Sequence, residues 1–335
     1  MPVHIVTGGF FGDEGKGKVT SFLSITKNPI AVVRTGATNA GHTVVFKGKI
    51  YKLRSVPSGF IYDKARLYIA RGSLIEKSVF LEEIKRLGLK GRIWIDGMTG
   101  IINEAHKERE MKEEHFSRLG STKSGVGAAM SDRVLRRLRL AREYDDLKEY
   151  VKDTQEEVLD AVEGGGLVIV EASQGYWLSL YHGTYPYVTS RDTTASGCLS
   201  EIGLGPKHAE RITVVFKSYV TRVGPGPLPN ELDASEAERK GWVEVGTVTG
   251  RRRRVAYFNF ELARKAIKAN SATDAAITKI DSIFPKSYHK RSWDELPKEA
   301  KKWIKEVEQE LGVPISIIGT GAEVFSVVSR NVYAY

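Results

Sequence analysis

The stretch Thr7-Gly8-Gly9-Phe10-Phe11-Gly12-Asp13-Glu14-Gly15-Lys16-Gly17-Lys18 decides the fold class of this 335-residue sequence. It follows a short β-branched run and leads into a helical pattern, where free backbone N–H groups and the helix dipole can bind phosphate. The spacing of Gly12, Gly17 and Lys18 is that of a P-loop, but Val19 stands where that motif has Ser or Thr for Mg²⁺. The stretch therefore predicts a phosphate-binding loop that departs from the standard motif.

Two carboxylates, Asp13 and Glu14, lie inside this predicted phosphate loop. A carboxylate beside a triphosphate is unfavourable unless a metal ion or a chemical task compensates for it. Asp13 is therefore predicted to be a metal ligand, a general base, or both. The alternative interpretation is a glycine-rich turn between a strand and a helix, with both acids in solvent.

Outward from the loop, apolar β-branched runs alternate with amphipathic helical stretches. The runs cover residues 4–7, 30–34, 66–70, 167–171, 212–216, 275–278 and 315–318, and the clearest helical stretches cover 78–87, 144–162 and 293–311. Buried parallel strands have this character, so we predict a P-loop NTPase-like α/β fold with a mostly parallel central sheet and helices on both faces. We expect one large domain over residues 1–335 with helical and loop excursions, and a possible helical excursion at residues 101–139.

The composition is that of an ordinary globular protein, with 41% hydrophobic and 27% charged residues. No apolar run reaches the roughly 18 residues that a membrane span needs, and no signal peptide is recognised, so we expect a cytoplasmic protein without a membrane partner. The single cysteine, Cys198, excludes an intrachain disulfide. The formal net charge of +10, from 51 Lys and Arg against 41 Asp and Glu, fits either a nucleic acid or a smaller polyanion such as a nucleotide.

A second glycine-spaced polar loop, Arg34-Thr35-Gly36-Ala37-Thr38-Asn39-Ala40-Gly41-His42-Thr43, follows the predicted strand at 30–34. Open α/β sheets bind ligands at the carboxyl ends of their strands. A histidine there, between the small residues Gly41 and Thr43, can protonate an oxyanion or polarise a phosphoryl oxygen near neutral pH. A single histidine is more often structural, so this interpretation depends on the first loop.

Far downstream, a buried strand pattern runs into Thr278-Lys279-Ile280-Asp281. This segment resembles the NKxD guanine-recognition element of GTP-binding proteins, with threonine in place of asparagine. A carboxylate at Asp281 can accept from both the ring N–H and the exocyclic amine of guanine, and the stem of Lys279 can cover the base. Such charged hydrogen bonds contribute about 1.5 to 3 kcal/mol each, enough to prefer GTP over ATP by tenfold or more.

Three further stretches are rich in small polar residues, more than one nucleotide needs. They are Gly120 to Gly127, then Glu171 to Gly175 continuing to 182–190, and Gly246-Thr247-Val248-Thr249-Gly250-Arg251-Arg252-Arg253-Arg254. The four arginines could form a nucleic-acid patch, but the aromatic residues that stack on RNA bases are absent beside them. Arginines after a Thr/Gly loop better suit forked binding of a small carboxylate or phosphate, so we expect no nucleic-acid partner.

Read together and in order, these motifs resemble the adenylosuccinate synthetase family from Val3 to about Gly321. The segments that carry the resemblance are Gly12 to Lys18, Asn39 to Thr43, His182-Gly183-Thr184-Tyr185-Pro186-Tyr187-Val188-Thr189-Ser190, the arginine run and Thr278 to Asp281. It implies a GTP-dependent ligase that joins IMP and L-aspartate through 6-phosphoryl-IMP, with Mg²⁺ as cofactor. Asp13 then corresponds to the general base on N1 of IMP, His42 to the acid that assists γ-phosphoryl transfer, and Lys16 to a catalytic cation.

The resemblance also implies a binding residue set for each ligand. GTP is expected at Gly12, Asp13, Glu14, Gly15, Lys16, Gly17, Lys18, Gly41, His42, Thr43, Arg253, Lys279, Ile280, Asp281, Gly319, Thr320 and Gly321. IMP is expected at Asp13, Lys16, Asn39, Ala40, Gly41, His42, Thr122, Arg136, Gln174, Thr189 and Arg251, with Arg136 reaching across a homodimer interface to the partner's IMP. Aspartate is expected at Thr247, Val248, Thr249, Gly250, Arg251 and Arg253, and Mg²⁺ at Asp13 and Gly41. Val248 stands where the family usually has threonine.

Two rival functions fit parts of the pattern. A regulatory GTP-binding switch explains the phosphate loop and Thr278 to Asp281 but gives no task to His42 or the arginine run. An RNA-binding protein explains only the basic excess.

Overall fold

Strands and helices alternate along residues 3–245, 250 and 252–331, which the computed structural model describes. The strands are β1 Val3–Gly8, β2 Ala31–Arg34, β3 His42–Phe46, β4 Lys49–Leu53, β5 Arg66–Ile69, β6 Leu74–Glu76, β7 Ile93–Asp96, β8 Gly100–Ile102, β9 Val151–Lys152, β10 Val168–Glu171, β11 Ala209–Lys217, β12 Tyr219–Arg222, β13 Arg254–Tyr257, β14 Asp274–Thr278, β15 Ile315–Gly319 and β16 Val327–Ser329. The helices are α1 Lys16–Lys27, α2 Lys77–Leu87, α3 Glu104–Lys112, α4 Glu114–Arg118, α5 Val126–Val134, α6 Thr154–Glu163, α7 Ala195–Ile202, α8 Ala234–Arg239, α9 Phe260–Ala269, α10 Ile280–Ile283 and α11 Lys298–Leu311. Short 3₁₀ helices span Ser58–Ile61, Ala141–Glu143, Asp145–Tyr150, Tyr176–Leu178, Pro206–His208 and Pro285–Ser287.

Ten of the described strands form one sheet in the order β16-β15-β14-β11-β1-β10-β2-β5-β7-β9. All neighbouring pairs are parallel except β15 and β16, which are antiparallel. The prediction of a mostly parallel central sheet is therefore confirmed. Because β1 lies between β10 and β11, the loops after these strands meet at the carboxyl-end edge of the sheet.

Helices cover both faces of the sheet, as predicted. The fully buried strand β1 shows why, because its successive side chains point to opposite faces. Val6 belongs to the apolar cluster that includes Phe22 and Leu23 of α1, whereas Ile5 belongs to the cluster that includes Val158 of α6. Helices α9 and α11 pack with β14 and β15 in a third cluster.

The predicted helix over residues 144–162 is wrong in its first half. Residues Asp145–Tyr150 form a 3₁₀ helix, and Val151 of β9 pairs with Ile95 of β7. Helix α6 begins only after Asp153, whose side chain caps it by accepting from the N–H of Glu156 at 3.1 Å. Strand β9 has only two residues, which is too short for its sequence to show the alternation of a strand.

One other difference is smaller. Helix α11 begins at Lys298 rather than at residue 293, because Pro297 stands at its N-cap. Residues 101–139 contain α3, α4 and α5. None of the helices in the described ranges has the length and apolar character needed to cross a bilayer.

Candidate active site

A cavity of about 870 Å³ opens where the loops after β1, β2, β10 and β14 meet. Its lining comes from the carboxyl-end edge of the sheet and from the segment around α3 to α5. The predicted site residues that line it are Gly12, Asp13, Gly15, Lys16, Gly17, Asn39, Ala40, Gly41, His42, Thr43, Thr122, Gln174, Thr189, Arg253 and Lys279. The structure therefore brings most of the predicted residues to one cavity, although they come from distant parts of the chain.

The phosphate loop is shaped from inside by Glu14. Its Oε1 atom accepts from the backbone N–H of Phe10 at 3.0 Å and of Gly12 at 2.8 Å, and its Oε2 atom accepts from Lys16 Nζ at 2.7 Å. Gly15, with φ 90°, then turns the chain into α1. The alternative of two solvated acids is wrong for Glu14, whose exposed fraction is 1%.

Asp13 differs from Glu14 because it faces the cavity. Its backbone is left-handed, with φ 60°, and its side chain is 29% exposed. One carboxylate oxygen, Oδ2, lies 2.9 Å from a guanidinium nitrogen of Arg253. Asp13 is thus the carboxylate of the phosphate loop that a ligand can reach, and Arg253 fixes its orientation in this state.

His42 is oriented by a buried carboxylate. Its Nδ1 atom lies 2.6 Å from Oε1 of Glu171, whose other oxygen accepts from the backbone N–H of Ser58 at 2.7 Å. Burial, and then the nearby Arg34, lower the pKa of His42 to about 4. Burial by itself would raise the pKa of Glu171, but His42, Arg34 and Ser58 outweigh it and hold the pKa at about 2. Glu171 is therefore ionised and holds the Nδ1 proton, which leaves Nε2 of His42 for a ligand.

Gln174 presents an unpaired acceptor beside the second loop. Its Nε2 donates to Oδ1 of Asn39 at 3.1 Å, while its buried Oε1 has no hydrogen-bond partner in the described part of the chain. Buried polar atoms are almost always satisfied, so an orphaned acceptor at a cavity indicates a donor supplied by a ligand.

The predicted guanine element is tied to the phosphate loop. The hydroxyl of Thr278 donates to the backbone carbonyl of Glu14 at 2.7 Å, so threonine replaces the motif's asparagine with a contact to the other loop. Lys279 follows with φ 62° and lines the cavity, whereas Ile280 is in the core. Oδ1 of Asp281 is buried and has no hydrogen-bond partner among the residues that the structure describes.

Lys18 points away from the cavity. Its Nζ donates to the backbone carbonyls of Gly321 at 2.6 Å and Ser326 at 2.7 Å, and burial lowers its pKa to about 8. The predicted GTP residues that do not line the cavity are Glu14, Lys18, Ile280, Asp281, Gly319, Thr320 and Gly321. Glu14 and Lys18 instead hold the phosphate loop and the segment at 319–321 in place.

Arg136 lies outside the cavity, on an exposed turn with φ 62°. The neighbouring Val134 and Leu135 are 68% and 58% exposed, an apolar surface unusual for two adjacent side chains.

In the predicted aspartate loop, Gly250 is exposed and does not line the cavity. The other predicted residues of that loop, Thr247, Val248, Thr249 and Arg251, lie outside the described residues.

Three carboxylates of this region, two of them buried, were not predicted as site residues. Glu171 is the last residue of the predicted strand at 167–171, and a charged residue at the end of a buried strand could have identified it as a site residue. Glu110 accepts from the N–H groups of Gly125 at 3.0 Å and Gly127 at 2.7 Å, which fixes the loop that carries Thr122. Glu244 contacts several cations beside the cavity, and nothing in its sequence surroundings indicated this.

The fold and the cavity indicate a class of protein, a nucleotide-dependent α/β enzyme with a predicted phosphate loop, a predicted guanine element and a histidine oriented by a carboxylate. A family model described as adenylosuccinate synthetase matches residues 5–142 and 138–286 of the chain. The chain belongs to the adenylosuccinate synthetase family, as the sequence motifs indicated.

Individual relatives agree with this assignment. The adenylosuccinate synthetase of Pyrococcus horikoshii is 45% identical over 99% of this chain and 99% of its own length. That of Methanocaldococcus jannaschii is 46% identical over 98% of this chain and 96% of its own length. A solved structure of fully ligated adenylosuccinate synthetase from Plasmodium falciparum matches with a TM-score of 0.90 at 26% identity, covering 98% of this chain and 100% of that one. The succinoaminodeoxyadenylate synthetase of cyanophage S-2L shares the fold, with a TM-score of 0.83 at 23% identity and coverage of 98% and 95%.

The family membership gives the reaction. The chain is a ligase that joins IMP and L-aspartate in a GTP-dependent step of AMP synthesis. The comparisons give no support to the alternative of a regulatory GTP-binding switch.

Proposed function

We propose that this cavity carries out the ligation through 6-phosphoryl-IMP, with Asp13 as general base and His42 as the acid for phosphoryl transfer. The proposal depends on the observation that Asp13 and His42 line one cavity although they are 29 positions apart in the chain. Each side chain is also oriented by a polar partner: Asp13 by its ion pair with Arg253, and His42 by its hydrogen bond with Glu171.

The first step needs a base because the 6-oxo group of IMP is a weak nucleophile and a poor leaving group. Asp13 takes the N1 proton, which places negative charge on O6. O6 then attacks the γ-phosphorus of GTP, so that an O–P bond forms, the bond to the β-phosphate oxygen breaks and GDP leaves. Asp13 suits this role because its carboxylate faces the cavity while Glu14 is buried.

The transferred phosphoryl group carries negative charge that cations and donors stabilise. Lys16 lines the cavity at the start of α1, where the helix N-terminus also favours an anion. With its Nδ1 proton on Glu171, neutral His42 can only accept at Nε2, so it acts as the acid after Nε2 has taken a proton; the anionic Glu171 then stabilises the imidazolium, which donates from Nε2. The arrival of phosphates raises the tendency of the imidazole to take a proton, because an anion beside it stabilises the charged form.

The second step is displacement of phosphate from C6 by the amine of aspartate. The C–N bond forms, the C–O bond breaks, and O6 leaves as part of inorganic phosphate to give adenylosuccinate. Of the arginines predicted to bind aspartate, Arg253 lies within the described residues, and it lines the cavity with its guanidinium beside Asp13, where it can bind a carboxylate. The other residues that we assign to aspartate are Thr247, Val248, Thr249, Gly250 and Arg251.

We assign the nucleotides mainly to residues that line the cavity and, for GTP, also to Asp281 and the segment at 319–321, which do not line it. We assign GTP to the phosphate loop, to Gly41, His42 and Thr43, to Arg253, to Lys279 and Asp281 on the base, and to the segment at 319–321. We assign IMP to Asp13, Lys16, Asn39, Ala40, Gly41, His42, Thr122, Gln174, Thr189 and Arg251. The orphaned acceptors on Gln174 and Asp281 support these placements, because purine N–H groups can satisfy them.

Mg²⁺ fits the residues present. The described ranges contain no group of three or more His, Cys, Asp and Glu side chains that would form a cage for a metal ion. Mg²⁺ at phosphate sites typically takes one or two protein ligands and completes its coordination with phosphate and water. The carboxylate of Asp13 and the carbonyl of Gly41 are the ligands we propose, and the ion would neutralise charge on the transferred phosphoryl group.

We also propose a cytoplasmic homodimer in which Arg136 binds the IMP of the partner subunit. Arg136 does not line the cavity of its own chain, and it stands beside the exposed apolar residues Val134 and Leu135. An exposed arginine next to an apolar patch suits a subunit interface better than free solvent.

The proposed roles are tested by Asp13→Asn and His42→Gln, with the exposed Asp294→Asn as matched control. Formation of adenylosuccinate and GDP is followed with IMP, L-aspartate, GTP and Mg²⁺ present, and again with each component omitted. We expect product only with all four, and a loss of kcat of at least about 100-fold for both cavity variants with unchanged thermal midpoints. Near-normal turnover in either variant would refute the role given to that residue.

A further inference from the structure

Glu244 lines the cavity and is contacted there by four cationic or hydroxyl groups. Lys217 Nζ donates to its Oε2 atom at 2.9 Å, and a guanidinium nitrogen of Arg253 contacts the same oxygen. The hydroxyl of Tyr219 donates to Oε1, and Lys279 Nζ lies 3.4 Å from that atom. Burial by itself would raise the pKa of Glu244, but Lys217 and Lys279 outweigh it and hold the pKa well below its usual range.

Two of these partners face different substrates in the proposed function. Arg253 contacts Asp13 with one nitrogen and Glu244 with another, on the aspartate side of the cavity. Lys279 belongs to the guanine element and lines the same cavity. Glu244 is thus the shared anionic contact of Lys279, which is assigned to GTP, and of Arg253, which is assigned to aspartate and also to GTP.

The backbone strengthens this connection. The N–H of Arg253 donates to the backbone carbonyl of Glu244 at 2.9 Å, so the two residues are held together through main chain and side chain. The carboxylate is fixed in turn by Tyr219, whose ring stacks on Trp242 at 4.6 Å between centroids. A long flexible cation such as Lys279, whose side chain is 49% exposed, loses entropy when it binds a ligand unless a partner already restrains it.

We propose that Glu244 is a positioning residue, which orients the side chain of Lys279 for the guanine base and that of Arg253 for the aspartate carboxylate. One carboxylate thereby prepares the binding sites of two substrates. The inference rests on the proposed function, which assigns Lys279 to GTP and Arg253 to both aspartate and GTP.

The test is the Michaelis constant of each substrate in Glu244→Gln, which keeps the side-chain shape and removes the charge. We expect the KM values for GTP and for aspartate each to rise at least fivefold, while the KM for IMP changes less than twofold. A purely structural role would shift all three constants, or the thermal midpoint alone. Glu231→Gln is the matched control, since it removes the carboxylate paired with Arg254 in the same arginine run and does not line the cavity.

A cycle with Lys279→Met tests whether Glu244 acts through Lys279. We expect Glu244→Gln to raise the KM for GTP by a smaller factor when Lys279 is already replaced than in the native background, and to raise the KM for aspartate equally in both. An equal effect on the KM for GTP in both backgrounds would overturn the inference and leave the proposed function standing. If Lys279→Met itself leaves the KM for GTP unchanged, the assignment of Lys279 to guanine fails, and the inference fails with it.

Two milder variants keep the test decisive if Glu244→Gln does not fold. Tyr219→Phe removes the hydroxyl that restrains the carboxylate but keeps the stacking on Trp242, and we expect the same selective rise in both KM values at smaller size. Glu244→Asp keeps the charge and should retain a lower KM for both substrates than the glutamine variant. Unchanged constants in Tyr219→Phe, or equal constants in the aspartate and glutamine variants, would contradict the inference.

Discussion

Glu171 Oε1 lies 2.6 Å from Nδ1 of His42, although the two residues are 129 positions apart in the chain. Both side chains are buried, and the second oxygen of Glu171 is bound to the N–H of Ser58 at 2.7 Å. The carboxylate therefore has a fixed position and selects the tautomer of His42 that leaves Nε2 toward the reaction.

Glu171→Gln should lower kcat by at least about tenfold and change the KM for each substrate little, because it removes the charge that supports a protonated His42. Steady-state kinetics with each substrate varied in turn gives the comparison. Glu163→Gln, an exposed glutamate at the end of α6, is the control. A kcat within twofold of the native value would show that Glu171 does not support His42 in catalysis.

Asp281→Asn should change the nucleotide preference. Replacing this carboxylate, whose Oδ1 atom is buried, with an amide removes an acceptor for guanine, so we expect the KM for GTP to rise by about tenfold to 100-fold. The amide can instead donate to a C2 oxygen, so xanthosine triphosphate should become a better donor than GTP. Turnover with GTP, xanthosine triphosphate and ATP measures this, and an unchanged order of preference would place guanine elsewhere.

The local part of the fold and site was predictable from sequence. β-branched runs such as residues 275–278 are strands because a fully buried parallel strand needs apolar side chains on both faces. The residues from Gly12 to Lys18 predict a phosphate loop because glycines and lysines at that spacing serve few other structures. The cavity position of Asp13 follows from the same segment.

Contacts between distant segments were not predictable from sequence. Glu244 and Glu110 are ordinary glutamates in a local pattern, and only the fold brings them to Lys217 and to the loop at Gly125. Lys18 shows the opposite error, because its motif position predicts a phosphate contact whereas its Nζ binds the carbonyls of Gly321 and Ser326. In each case the partner is selected by how separate segments of the chain pack together, which leaves no pattern in the neighbouring residues.

The buried His4 should make the fold sensitive to acid. Burial, and next the charge of Arg211, lower its pKa to about 3 from 6.5. Between these values the unfolded chain binds a proton that the folded chain does not, so stability falls as the pH drops below 6.5. Relative to His4→Gln, the native protein should lose about 2 kcal/mol more between pH 6.5 and pH 5. Urea denaturation at several pH values measures this, and equal losses in both proteins would contradict it.

The proposed dimer predicts that two inactive variants restore activity when mixed. Arg136→Ala lacks the residue donated to the partner's IMP, and Asp13→Asn lacks the base of its own cavity. A mixed dimer then contains one site with both native residues, so random exchange of subunits should restore roughly a quarter of the native activity. Each variant mixed with itself is the control. No recovery after confirmed subunit exchange would exclude Arg136 from the partner's site.

The most direct test of the proposed chemistry is the fate of the oxygen on C6 of IMP. IMP labelled with ¹⁸O at that position is converted with L-aspartate, GTP and Mg²⁺, and the inorganic phosphate is analysed by mass spectrometry. Attack of O6 on the γ-phosphorus, followed by displacement by the amine, predicts one ¹⁸O atom in each phosphate formed, and Asp13→Asn should form almost none of this product. Adenylosuccinate formed together with unlabelled phosphate would contradict a route through 6-phosphoryl-IMP.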